Sequence, residues 1–174
     1  MTPENRIPDL LNELEYLATH FVEIGIFSGS DREDDTPMLM IAFVHEFGMQ
    51  IPKQFKTTHA QGPWGSTKER DEPEKWFYIP ERSYLRAGFD ANLDKIQREF
   101  ELLLSQVLEL KITGKSALDL IGASVTTKIQ DFLVELKEPP LAESTIRAKG
   151  SSNPLIDTGQ LMNSITWKIT EVSE

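Results

Sequence analysis

The stretch from Ile79 to Leu110, IPERSYLRAGFDANLDKIQREFELLLSQVLEL, holds the longest unbroken helical pattern in the chain, and any fold must cover it. Apolar residues recur at Phe89, Leu93, Ile96, Phe100, Leu103, Val107 and Leu110, in alternating steps of four and three, which is a single stripe along a helix. Asp90, Asp94, Lys95, Arg98, Glu99, Glu101 and Glu109 take the positions between them, so the helix is amphipathic and needs a partner surface. Pro80 stops the extended entry from running into the helix. Ser83 is the expected N-cap, its hydroxyl accepting from a free N–H of the first turn. The stripe reads as the core face of a buried helix. A coiled-coil seam is the sharper alternative, but the heptad run is short and Leu102 and Leu104 blur it.

The partner is expected immediately downstream. Ile112-Thr113-Gly114 breaks the pattern, and Ser116 with Asp119 fits a capped restart. Leu118, Ile121, Val125, Ile129, Phe132 and Leu136 then form a second stripe that Pro139-Pro140 ends. Helices joined by so short a turn pack antiparallel, so residues 82–137 are read as a helical hairpin.

Before the hairpin, residues 1–20 contain an amphipathic helix over Ile7 to Ala18, with Leu10, Leu14 and Leu17 at helical spacing and Asp9 near its start. Phe21 to Ser28 changes to strand alternation, with Val22, Ile24 and Ile26 on one face. Thr36 and Pro37 announce a helix to Phe47 that is almost wholly apolar, hence expected to be buried, and Gly48 closes it. Residues 49–75 show no period and read as a long loop or arm, with Ile51 to Phe55 and Trp76 to Ile79 as possible stems of a hairpin. In the last part, 140–174, Ser144 to Lys149 reads as a helical turn or two closed by Gly150. Ile165, Trp167 and Ile169 alternate with Thr166, Lys168 and Thr170 in a final strand.

With 174 residues, 39% of them hydrophobic, the chain can bury one core but hardly two, so a single domain over 1–174 is expected. The absence of cysteine excludes disulfides, thiolate catalysis and cysteine zinc sites. No apolar run is long enough to span a bilayer and the first residues lack a signal-peptide layout, so a soluble, cytosolic protein is expected. The net charge is −10, concentrated early: Glu4, Asp9, Glu13, Glu15, Glu23, Asp31, Glu33, Asp34 and Asp35 face only Arg6 and Arg32 before residue 36. Such a surface disfavours tight phosphate binding, and suits a basic partner or a surface that repels DNA.

Several motifs suggest chemistry and lose it on inspection. Leu155-Ile156-Asp157-Thr158-Gly159 matches the core of aspartic proteases, yet too little chain follows Gly159 to enclose such a site. A capped helix explains more: Asp157 as N-cap, Gln160 at the third helical position completing a capping box, and Ile156 packing on Leu161 as a hydrophobic staple. Thr113-Gly114-Lys115-Ser116 ends like a phosphate-binding loop, but Glu109 stands where glycine is required and a helix precedes it. His45-Glu46 lacks the second histidine of a zinc-protease helix, and His20 and His59 lie in other elements. His45 reads instead as a partly buried polar residue or a partner of the helix C-terminus. No catalytic, metal or cofactor site is therefore expected. Trp64 and Trp76, among basic residues such as Lys56 and Arg70, are candidates for contacts with a protein partner, because aromatic side chains dominate interface energetics and the interleaved acids disfavour base stacking.

Three segments together resemble the tail-completion and virion-morphogenesis (neck, head–tail joining) proteins of tailed bacteriophages. They are Ala42-Phe43-Val44-His45-Glu46-Phe47-Gly48, then Ile79-Pro80-Glu81-Arg82-Ser83-Tyr84-Leu85-Arg86, then Ser144 to Gly150 running into Pro154 to Leu161 and Ser164-Ile165, with LDLIG at Leu118 to Gly122 between. Ala142-Glu143 departs from the family's Ser-Pro, and Ser83 stands where proline is common. The resemblance implies a structural protein without enzymatic activity or cofactor, assembled in the host bacterial cytoplasm and carried in the virion. It implies a ring, typically a hexamer, that joins tail to head, contacts itself and other tail or connector proteins, and lets DNA pass without sequence-specific binding or a membrane. A protein-binding module outside viruses is the alternative, and an aspartic-type protease at Asp157 the least favoured. The expected fold is α+β: a small antiparallel sheet from Phe21 to Phe27, the possible hairpin and Ile165 to Thr170, packed against two long antiparallel helices.

Overall fold

The computed structural model describes residues 6–27, 37–52, 76–141, 146–147, 155 and 159–172. In chain order the elements are α1 (Ile7–Thr19), β1 (His20–Gly25), α2 (Met38–Phe47), β2 (Met49–Pro52), β3 (Trp76–Ile79), α3 (Leu85–Leu108), α4 (Gly114–Glu135), α5 (Gln160–Asn163) and β4 (Thr166–Glu171). The fold is α+β, with α3 and α4 packed antiparallel as a helical hairpin beside small antiparallel sheets.

The helix at the centre is α4 and not α3. It packs against α3, β1, β4, α1 and α5. Ala117, Leu118, Ile121, Val125, Ile129 and Leu133 are all buried, whereas α3 buries only Gly88, Ile96 and Val107. The α3 stripe is therefore half covered: Phe89, Leu93 and Phe100 remain exposed at its edge. A helix used on several sides buries a broad arc, and a helix packed on one neighbour buries a narrow stripe. Each fully buried Val or Leu of α4 contributes about 1.5 to 3 kcal/mol relative to exposure. Between the two helices the Lys128 ammonium and the Ser124 hydroxyl donate to the Glu99 carboxylate at 2.7 and 2.6 Å, which fixes their register.

Among the described residues the strands form two separate two-stranded sheets, so the expected single sheet is split there. β1 pairs antiparallel with β4 from His20↔Glu171 to Gly25↔Thr166 and packs Val22 and Ile24 toward the core. β2 pairs with β3 as the stems of a hairpin, Met49↔Ile79 to Pro52↔Trp76. Ile51 and Pro52 of the expected upstream stem, Ile51 to Phe55, are strand, its remaining residues lie outside the described residues, and Met49 and Gln50 are strand where the sequence reads as loop.

β4 lies so close to α4 that a Cβ on Gly122 would stand 2.4 Å from Trp167 Cδ1. Only a residue without a side chain lets the indole lie on the helix backbone. α3 ends in a Schellman arrangement, in which the Lys111 N–H donates to the Gln106 carbonyl and the Leu110 N–H to that of Val107. Leu110 occupies the left-handed conformation that glycine commonly takes there, at φ 54°, so the expected stripe stops at Val107 and Leu110 belongs to the turn.

The starts of the long helices differ from expectation. α4 is capped by Thr113, whose Oγ1 accepts from the Ser116 N–H at 3.1 Å; Ser116 is inside the first turn and not the cap. The Glu13 carboxylate of α1 also accepts from the Gly114 N–H at 2.6 Å. The short α5 has Gly159 at its N-cap position in the left-handed conformation, with no side-chain cap. Gln160 is then the first helical residue rather than the third, its Oε1 buried without a hydrogen-bond partner among the described residues. Leu161 is buried in the core, while Ile156 and Asp157, the other members of the expected cap and staple, lie outside the described residues.

Candidate interaction site

The candidate site centres on α2. Its sequence, MLMIAFVHEF, is apolar apart from His45 and Glu46, which leads to the expectation of a buried helix. Only Met38, Ala42 and Glu46 are buried, at helical steps of four along one face. Leu39, Met40, Phe43 and Phe47 are 46, 57, 56 and 51% exposed. The acid is inside and the aromatics are outside, the reverse of what polarity alone prefers.

Glu46 is inside because it caps α3. Its Oε2 accepts from the backbone N–H of Tyr84 at 2.9 Å and of Leu85 at 3.0 Å. Its Oε1 accepts from the Ser83 hydroxyl at 2.7 Å, the Arg86 N–H at 3.2 Å and Arg86 Nε at 2.9 Å. The first turn of a helix has free N–H groups and the positive end of the dipole, so a carboxylate from another helix can serve where a local cap would. Ser83, the expected N-cap, lies one residue before the N-cap position; its hydroxyl donates to this carboxylate and, as expected, accepts from a first-turn N–H, that of Ala87 at 3.4 Å. Burial by itself raises the Glu46 carboxyl, but the hydrogen bonds from Leu85, Ser83 and Arg86 outweigh it and hold the carboxyl below its ordinary value.

Two arginines extend the junction. Arg86 also reaches Glu81 at 2.7 Å and lies 4.7 Å from the Phe47 ring centroid, a cation–π arrangement on the exposed side of α2. Arg82, buried at 4% exposure, donates from Nε to the Pro139 carbonyl at 2.8 Å and from Nη2 to that of Pro140 at 3.1 Å. It thereby ties the entry of α3 to the exit of α4, and burial lowers its pKa from the ordinary value. Tyr84 is fully buried between these groups, with no hydrogen-bond partner for its hydroxyl among the described residues. Burial first, and the nearby Glu46 charge second, push that phenol up.

Gly48 ends α2 at φ 70°, with its Cα so near the β3 exit that a Cβ would meet Ile79 O and Glu81 N at 2.9 Å. Pro80 follows β3 directly at this contact, as expected of a residue that ends the extended segment. Gly48 and Pro80 thus stand on the two sides of one crossing, where the Arg82 N–H donates to the His45 carbonyl at 2.8 Å.

Of the expected partner-contact residues, Trp64, Lys56 and Arg70 lie outside the described residues. Trp76 begins β3 opposite Pro52, as expected of the downstream hairpin stem. The sequence reading missed Glu46, Arg82 and Arg86 as a unit. One signal was available: an acid in an otherwise apolar helix must find donors if it is buried. Among the described residues no three His, Asp or Glu side chains gather where they could hold a metal ion, and no helix is long and apolar enough to cross a membrane. Comparison with protein-family models, with curated proteins and with solved structures finds no match to this chain.

Proposed function

We propose that this chain is a structural protein of tailed-bacteriophage assembly, a tail-completion or neck component that forms a ring at the head–tail junction. The observation that carries the reading is the Glu46 junction. Two of the segments that resemble those proteins, Ala42 to Gly48 and Ile79 to Arg86, are separate in sequence yet form one hydrogen-bonded unit. Leu155, Leu161 and Ile165, from the third, lie in the same core as Met38, Ala42 and Tyr84.

The unit supports a surface suited to assembly. It fixes α2 by its buried acid and leaves Leu39, Met40, Phe43 and Phe47 outward, a contiguous apolar face of the kind that marks protein contacts. In this reading that face meets a neighbouring copy or a connector protein, the ring is a hexamer, and DNA passes through without sequence-specific contact. The protein acts in the host cytoplasm during assembly and then in the virion, and it has no catalytic role.

The test is to mix the purified protein with purified tails and image the complexes by electron microscopy, with mass photometry of the protein alone. A sixfold ring on the head-proximal end of the tail is expected. A strict two-fold dimer that persists at every concentration and never appears on tails would overturn the reading.

A further inference from the structure

We propose that the outer edge of β1 is a docking slot for an extended segment of a partner protein, which adds to the sheet as a third strand. The proposal is independent of the ring and of the α2 face. The Val172 N–H donates to the Thr19 carbonyl at 2.7 Å, and the register runs on through Val22↔Ile169 and Ile24↔Trp167. In an antiparallel ladder hydrogen-bonded pairs alternate with non-bonded ones. Thr19, Phe21, Glu23 and Gly25 are therefore directed at β4, while His20, Val22 and Ile24 turn their backbone N–H and C=O away from it. Among the described residues no third strand takes them up.

That edge opens on a groove of about 530 Å³ rather than on flat surface. Val22 and Ile24 form one wall, Leu85 and Phe89 of α3 the other, and Ile129 of α4 lies between. A strand placed against β1 would make main-chain hydrogen bonds along the edge and send alternate side chains down onto this apolar lining, the two elements of strand-addition recognition. Exposed edges are commonly guarded by proline, lysine or a bulge. The β1 sequence HFVEIG has neither proline nor lysine, and its register with β4 is regular.

Charge specifies the occupant further. Arg86 at the rim is already engaged by Glu46 and Glu81, whereas Asp90 beside it makes no ion pair among the described residues. The slot therefore takes a short extended peptide with alternating apolar residues and a lysine or arginine positioned to meet Asp90.

The test uses the full-length, isotope-labelled protein and a capped synthetic peptide in which valine and lysine alternate. Saturable binding is expected, with slowed hydrogen exchange at the Val22 and Ile24 amides. The same peptide N-methylated at alternate residues keeps its side chains but loses donors, and should bind at least about tenfold more weakly, since it forfeits more than one backbone hydrogen bond. Replacing the peptide lysines by glutamate should weaken binding to the wild-type protein, and Asp90→Lys should reverse that preference. Absence of saturable binding, equal binding of the methylated peptide, or protection confined to α2 would each overturn the proposal. Asp90 is exposed on a helix surface, and a melt of Asp90→Lys that matches the wild type shows that the reversal is read on a folded protein.

Discussion

The Glu46 carboxylate and the Tyr84 backbone N–H meet at 2.9 Å across 38 residues of chain, and this bond sets α2 against the first turn of α3. The Glu13 carboxylate does the same for Gly114 at the first turn of α4, across 101 residues. Both long helices thus begin on an acid supplied by another helix, so each cap is at once a helix-starting signal and a tertiary contact.

Removing the first of these acids should cost more than an ordinary cap. Glu46→Ala leaves the part-buried Ser83 hydroxyl and several N–H groups without this acceptor. The exposed Arg86 arm adds little, so the expected loss is about 2 to 4 kcal/mol, or roughly 10 °C in melting temperature. Glu13→Ala, which frees one N–H already near the Thr113 cap, should cost about 1 kcal/mol. Equal losses for the two variants in thermal melts would show that the burial of Glu46 is not what makes its cap strong.

Acid should unfold the protein through the same group. The folded-state pKa of Glu46 lies below its ordinary value of 4.5, so the unfolded chain binds the proton first. The contribution is therefore present above about pH 4.5 and is lost as pH falls through the folded value. Glu99, lowered by the Lys128 hydrogen bond and then by that of Ser124, acts in the same direction. Denaturant midpoints measured from about pH 6 down to pH 3 should fall for the wild type and fall less steeply for Glu46→Gln. A wild-type stability that stays level over that range would contradict the assignment.

Gly122 is predicted to tolerate no side chain. Gly122→Ala places a methyl carbon 2.4 Å from Trp167 Cδ1, so either the indole or β4 must move, at about 1 to 3 kcal/mol. A displaced indole N–H resonance of Trp167 should accompany the lower melt. Trp167→Phe removes part of the obstacle and should make the alanine less costly in the double variant. Additive losses in that cycle would mean that the clash is relieved elsewhere.

The exposed face of α2 should matter to assembly and hardly to folding. Met40 and Phe43 are more than half exposed, so changing both to serine should shift the melt by no more than a few degrees. Under the proposed function, attachment to tails should be lost with them. Unimpaired attachment would leave α2 outside the proposed interface.

The period of the apolar residues was enough to place α1, α3 and α4, and the Thr36-Pro37 start and Gly48 stop placed α2, because stripes, strand alternation and chain breaks are local consequences of backbone geometry. The same holds for β1 and β4. Gly48 and Pro80 were legible as breaks because each acts through its own backbone. Caps and faces were another matter. Ser83 and Ser116 are the residues a local rule selects, yet Thr113 caps α4 in place of Ser116, and at α3 Ser83 takes only the Ala87 N–H while Glu46 from another helix takes those of Tyr84 and Leu85. The exposure of half of α2 overturned its expected burial, and the breadth of the buried α4 face was undecided, since an apolar helix does not say which of its sides will find a partner. The split of the strands into two sheets depended on which edges met in space. Periodicity is set by bonds along the chain, whereas caps, covered faces and strand partners are set by what the packed chain brings within about 3 Å, the range of a hydrogen bond.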